Sequence, residues 1–217
     1  IWENYSGYYA RNGLIQSTVI SPRLSAYLRA GGKLWLGGRM TVGSTRLAPN
    51  GIDADFQYPI ELTPGDWAWD FLKLHSTRVM NDRGLDSKHI LHSVWPFPGV
   101  PAIYDSMVVD ISKLPLLLQS SGGFSHADAV FDPLLAESES NFEGDIDTLY
   151  AYGAAGPEVQ GRASPYHGRL TAIRWHDLDP AAAHGRVQWF GFAMYYMKDN
   201  RAFATFKQSL DWFRAGP

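Results

Sequence analysis

A chain of 217 residues with 45% hydrophobic and 19% charged side chains has ordinary globular composition, long enough for one substantial core. The 19 basic and 22 acidic residues leave a net charge of −3, and no lysine or arginine cluster tracks a phosphate backbone, so nucleic acid is not an expected partner. Zero cysteine excludes disulfides, thiolate metal sites and cysteine nucleophiles but leaves the compartment open. No apolar run approaches the ~20 residues of a membrane-spanning helix. The longest candidate, residues 114–118, contains Pro115. The opening Ile1-Trp2-Glu3-Asn4 lacks the basic and apolar regions of a signal peptide, as a chain with its leader already cleaved also would.

Ile1-Trp2-Glu3 reads as the end of a strand, and residues 5–20 as a polar, glycine-containing loop. Ser21 is a good helix cap and Pro22 suits the first helical position, where a missing N–H costs nothing. Leu24, Tyr27 and Leu28 then share one helical face, Gly31 supplies a left-handed stop, and residues 33–36 form a strand. A strand so soon after a helix predicts a parallel βαβ-type sheet. Residues 40–62 read as a long connection. Thr63-Pro64-Gly65-Asp66 repeats the helix-start pattern, with Trp67, Phe71 and Leu74 as the buried stripe. Residues 81–101 look irregular because of Pro96, Pro98 and Pro101. Short strands are expected at 106–110, 129–131, 148–152, 170–175 and 186–192, the last being the strongest. A turn is expected at 119–123, a loop at 154–165 and a turn at 177–185. Residues 201–214 close the chain as a helix, with Phe203, Phe206, Leu210 and Phe213 as an apolar stripe.

Two blocks carry a family likeness. Residues 27–38, YLRAGGKLWLGG, resemble the glycine-pair segment of class I glutamine amidotransferase-like domains. Residues 185–197, GRVQWFGFAMYYM, with the helix ending Leu210-Asp211-Trp212-Phe213, are similar to the closing strand and helix of non-catalytic modules of that kind in bacterial secreted and surface proteins. The resemblance implies one α/β domain over residues 1–217, a flavodoxin-like three-layer sandwich with a mostly parallel sheet. It also implies that the first strand–helix units are missing and that the chain is the C-terminal part of a longer, exported or surface protein. Catalytic members place their cysteine nucleophile on a sharp turn after a strand. Here the strand leads to Gly37-Gly38-Arg39-Met40, with Thr41 and Ser44 beyond the turn, so no catalytic residue is carried over.

Gly37 and Gly38 at a strand end would let a ligand approach the backbone, and Arg39 would hold an anion there. A tight turn and a local ion pair explain the same residues. Glu139, Asn141, Glu143, Asp145 and Asp147 alternate like the ligands of a calcium loop, with Gly144 at the sixth position, but Tyr150 stands where a bidentate glutamate belongs. A solvated acidic loop is the plainer reading. His89 and His92 are three apart without the glutamate of a zinc signature. His126 with Asp128, and His176 with Asp177 and Asp179, are acid–base or metal candidates. A pocket in which His126, His176 or His184 converges with carboxylates would mark a hydrolase, while His75 and His167 are read as loop residues. Tyr8, Tyr9, Trp67, Trp69, Trp95, Tyr166, Tyr195 and Tyr196 are either core or a sugar- or protein-binding platform.

These observations predict a non-catalytic structural, interaction or ligand-binding module without a cofactor. Its expected partners are other domains of the polypeptide, other proteins, a second copy or a glycan. The alternatives are a hydrolase using His, Asp and Glu groups, with or without a metal, and a glycan-binding module.

Overall fold

The computed structural model describes residues 2–4, 20–38, 41–42, 60–79, 90–98, 104–114, 119, 127–132, 134, 142–156, 158–159, 162–179 and 183–215. The chain begins with strand β1 (Trp2–Asn4), helix α1 (Ile20–Arg29) and strand β2 (Lys33–Gly38). β2 lies parallel to β1, as the capping and glycine pattern predicted. α1 ends in a Schellman motif: Gly32 N–H bonds the Tyr27 carbonyl at 2.8 Å, Gly31 N–H bonds the Leu28 carbonyl at 2.9 Å, and Gly31 takes φ +84°. Tyr27 departs from the expected apolar face. It is half-exposed, and its hydroxyl closes the turn onto the backbone of Lys33.

Strand β12 (Arg186–Phe190) is parallel to β2, and every further pairing is antiparallel. β11 (Leu170–Asp177) lies beside β12, β8 (Gly144–Ala154) beside β11, β5 (Leu91–Pro96) beside β8, and β6 (Met107–Val108) beside β5. The sheet forks at Leu170, which pairs with both β8 and β7 (Asp128–Val130). β7 then leads to β4 (Ser76–Val79) and β3 (Ile60–Glu61). β9 (Glu158–Val159) and β10 (Arg162–Ala163) form a separate small hairpin.

The sequence expectation of a flavodoxin-like, mostly parallel sandwich is therefore wrong. The sheet is mixed and curled, with few helices. The parallel βαβ arrangement is confined to β1, α1 and β2, with β12 as the other parallel neighbour of β2. Most of the sheet comes from strands whose neighbours run antiparallel and need no crossover helix. Residues 91–96, expected to be irregular, form β5. Proline is tolerated because Pro96 is the strand's last residue.

Two cores lie on opposite faces of the sheet. On one, Leu36, Val187, Trp189, Ile173 and Trp175 meet Leu28 of α1 and Trp67, Phe71 and Leu72 of α2 (Trp67–Leu72). The expected stripe Trp67, Phe71 and Leu74 is buried throughout. α2 starts later than the sequence suggested, with Asp66 at its cap position, and the Asp66 carboxylate accepts both the Thr63 N–H and hydroxyl. On the other face, Trp35, Tyr150, Tyr152, Ala172 and Phe190 meet helix α3 (Asp199–Arg214).

The residues of α3 that bury are Ala202, Thr205, Ser209 and Phe213, whereas Phe203 is 71% exposed. The predicted stripe is displaced by one position for most of the helix. Small residues let α3 lie close to a sheet face already filled by large rings. At its C-terminal end, Arg186 of β12 donates to the Trp212 carbonyl in the last turn, which suits the negative end of the helix. Arg174 and Arg186 both stack on the Trp212 ring, at 5.2 and 5.1 Å.

This face gives the fold an alkaline limit. Burial pushes the Tyr150 hydroxyl up to about 12, and it raises Tyr152 and Tyr104 as well. A tyrosine raised in the folded state stays protonated while the unfolded chain loses its proton. Stability is thus complete below pH 10 and falls as pH rises toward 12, with Tyr150 alone contributing about 2–3 kcal/mol. Thermal melts between pH 8 and 11.5 should show this decline, and Tyr150→Phe should flatten it. An unchanged melting temperature across that range would contradict the assignment.

Candidate functional site

The sequence candidates do not converge. Gly37 and Gly38 are buried within β2, paired with β1 on one side and β12 on the other at Gly37. Gly38 takes φ +120° and gives its N–H to the Phe192 carbonyl at 3.1 Å. Arg39 lies outside the described residues. Just beyond, Thr41 is fully buried. Its hydroxyl accepts the Trp189 indole N–H at 2.7 Å and donates to the Asp128 carboxylate at 3.3 Å. Asp128 also accepts the Val42 N–H at 3.4 Å. This buried group ties the end of β2 to β7, and the Thr41 hydroxyl is spent on holding it.

Of the calcium-loop candidates, Glu139 and Asn141 lie outside the described residues. Glu143 is exposed immediately before β8, while Asp145 and Asp147 stand two apart on β8 itself. Asp147 pairs with Arg174 at 2.5 Å, and Asp145 accepts the Ile146 N–H. Extended backbone presents such residues in a row along a strand rather than wrapped around an ion. Among the described residues, no group of three or more His, Asp or Glu side chains is placed to hold a metal.

His126 and His89 lie outside the described residues. His176 sits on β11 opposite Asp145. His184 approaches the Asp177 carbonyl at 3.4 Å. Asp177 and Asp179 both face Arg29, at 3.8 and 2.5 Å, and so fasten α1 to the β11–β12 connection. His75 packs on Trp69 and His167 on Trp95. His176 and His184 both lie at the β11–β12 connection.

A concavity with the shape of a binding site lies among the described residues on the α3 face. A groove of about 1030 Å³ is lined by Trp35 from β2, Met194 and Tyr195 from the short turn before α3, and Ala202, Phe203 and Phe206 from α3. Lys113, Asp199 and Asn200 form its polar end. Trp35 packs against Phe206 at 4.5 Å and edge-on to Phe190 at 5.6 Å, which fixes its ring. Lys113 ends a single 3-10 turn (Ile111–Lys113) capped by Asp110. It donates to the Met197 carbonyl, pairs with Asp199 and lies 5.5 Å over the Tyr195 ring. One ammonium thus holds the turn and the start of α3 in a fixed relation.

Sequence reasoning singled out Tyr195 but assigned Phe203 and Phe206 to the core. Trp35 and Lys113 carried no local signal, because the groove forms only when α3 crosses β2.

No family model, curated protein or solved structure matches this chain. No helix among the described residues is long and apolar enough to cross a membrane.

Proposed function

We propose that the chain is a non-catalytic binding module whose ligand seat is the groove beside α3. The observation that carries this reading is the aromatic lining of that groove. Phe203 is 71% and Tyr195 57% exposed, and both border a concavity floored by the rigid Trp35. Scattered apolar side chains on a surface are normal, but clustered rings around a concavity with a few polar groups are the usual composition of a ligand pocket. The groove's size matches a small organic molecule or a few side chains of a partner.

The hydrolase alternative is less favoured: His176 and His184 share the β11–β12 end with Asp145, Asp177 and Asp179, but Asp177 and Asp179 both face Arg29, and no group among the described residues is placed to hold a metal. The glycan alternative is less favoured, because the charged and amide lining groups are Lys113, Asp199 and Asn200, of which Lys113 and Asp199 pair with each other and the Asn200 side-chain oxygen accepts the Arg201 N–H. A place within an exported or surface multidomain protein rests on the amidotransferase-like resemblance alone.

Nile red, a neutral apolar fluorophore, is a direct test. Saturable binding to the wild type is expected, at least 10-fold weaker in Phe203→Asp, with an unchanged melting temperature because Phe203 is exposed. No saturable binding, or equal binding by the variant, would overturn the proposal.

A further inference from the structure

Helix α3 carries a second apolar stripe that the sheet does not use. Phe203, Phe206 and Leu210 recur at spacings of three and four residues, the seam of a helix that packs on another helix. The sheet takes Ala202, Thr205, Ser209 and Phe213 instead. That leaves Phe203 exposed and Phe206 and Leu210 half-buried. Phe203 and Phe206 also line the groove, but Leu210 lies outside its lining, so the stripe continues beyond the groove. A contiguous apolar stripe on an open helix face marks an interaction surface.

The charges beside the stripe select the partner. Asp199 begins α3 and Arg214 ends it, and 3.6 residues per turn put both on the side of the stripe. Their side chains are 88% and 77% exposed. Asp199 meets Lys113 and Arg214 shares Asp211 with Lys207, yet both ends keep most of their surface open for a further contact. Reversed end for end, α3 is its own complement. Asp199 of each copy stands beside Arg214 of the other, Phe203 meets Leu210, and the two Phe206 rings lie at the centre. The helix dipoles then oppose, whereas a parallel pair would set Asp199 against Asp199 and Arg214 against Arg214. We infer that α3 docks antiparallel on α3 of a second copy, about a two-fold axis beside Phe206. The 16-residue helix spans about 24 Å. One helix pair of that length is a small interface, so the dimer is weak, with a Kd on the order of 10–100 µM.

Sedimentation equilibrium at low salt, from roughly 5 to 500 µM chain, tests this. The mass is expected to rise from one chain toward two. Phe203→Asp and Arg214→Glu should each weaken association about 10-fold. Arg214 lies outside the groove lining, so Arg214→Glu should leave Nile red binding unchanged, which separates the dimer from the groove. Asp199→Arg combined with Arg214→Glu restores opposite charges across the pair and should return association to within about 3-fold of wild type. A single-chain mass at every concentration would overturn the inference. So would an Arg214→Glu chain that associates as tightly as wild type, the result for a parallel pair or another face, or a double variant no tighter than Arg214→Glu alone. A dimer that responds to the charge changes as expected, without saturable Nile red binding, would support this inference and remove the groove reading.

Discussion

Trp175→Ala is expected to cost about 4 kcal/mol of folding stability, lowering the melting temperature by roughly 8–16 °C for a chain of this size. Trp175 is fully buried on the face covered by α2, where its ring meets Phe71 edge-on at 5.0 Å. Alanine would remove nearly the whole ring and leave a cavity between the sheet and α2 that packed neighbours fill only in part. Trp175→Phe should cost far less, about 1–2 kcal/mol. The indole N–H of Trp175 has no acceptor among the described residues, so no hydrogen bond is lost with it. Chemical denaturation of the two variants gives the comparison. An alanine variant within 1 kcal/mol of the wild type would mean that this face is not a core.

Gly185→Ala should cost about 3 kcal/mol, although it adds a single methyl group. A Cβ at residue 185 would overlap the Leu28 carbonyl oxygen, which belongs to the backbone of α1 and has no rotamer to escape into. The junction is tight from both sides. Ala183 N–H bonds the Arg29 carbonyl at 3.1 Å, Arg186 N–H bonds the Gly32 carbonyl at 2.9 Å, and a Cβ on Gly31 would stand 2.6 Å from the Ala183 carbonyl oxygen. Either α1 or the β11–β12 connection must move. Gly65→Ala provides the contrast. Gly65 has φ +95° but open space around it, so only the backbone penalty of about 1–2 kcal/mol applies. Denaturant midpoints should rank the two variants in that order. Equal midpoints would show that the α1 junction yields easily.

What could be read from the sequence was local. The Gly31 stop places the end of α1 and the start of β2, because a left-handed glycine depends on its neighbours in the chain, whereas α1 begins at Ile20, ahead of the expected Ser21 cap. The strongest predicted strand, around Trp189, and the closing helix also form. The global arrangement was not legible. Whether β11 lies parallel or antiparallel to β12 depends on which edge the connection reaches, and a helix–strand pair at one end says nothing of it. The α3 stripe misled for a related reason. Periodicity treats large apolar residues as core, yet Phe203 faces outward because Ala202, Thr205 and Ser209 permit the close approach to the sheet. The same displacement creates the groove. Its residues come from β2, the 3-10 turn ending at Lys113, the turn before α3 and α3 itself, so no spacing in the sequence could have joined them.

The most direct test of the central claim is the side-chain ¹H–¹⁵N spectrum of the tryptophans during titration with Nile red, with Trp35 assigned by Trp35→Phe. The account predicts that the Trp35 indole signal moves in proportion to occupancy, while those of Trp175 and Trp189, on the opposite face of the sheet, stay in place. A stationary Trp35 signal at saturation, or movement confined to Trp175 and Trp189, would contradict it.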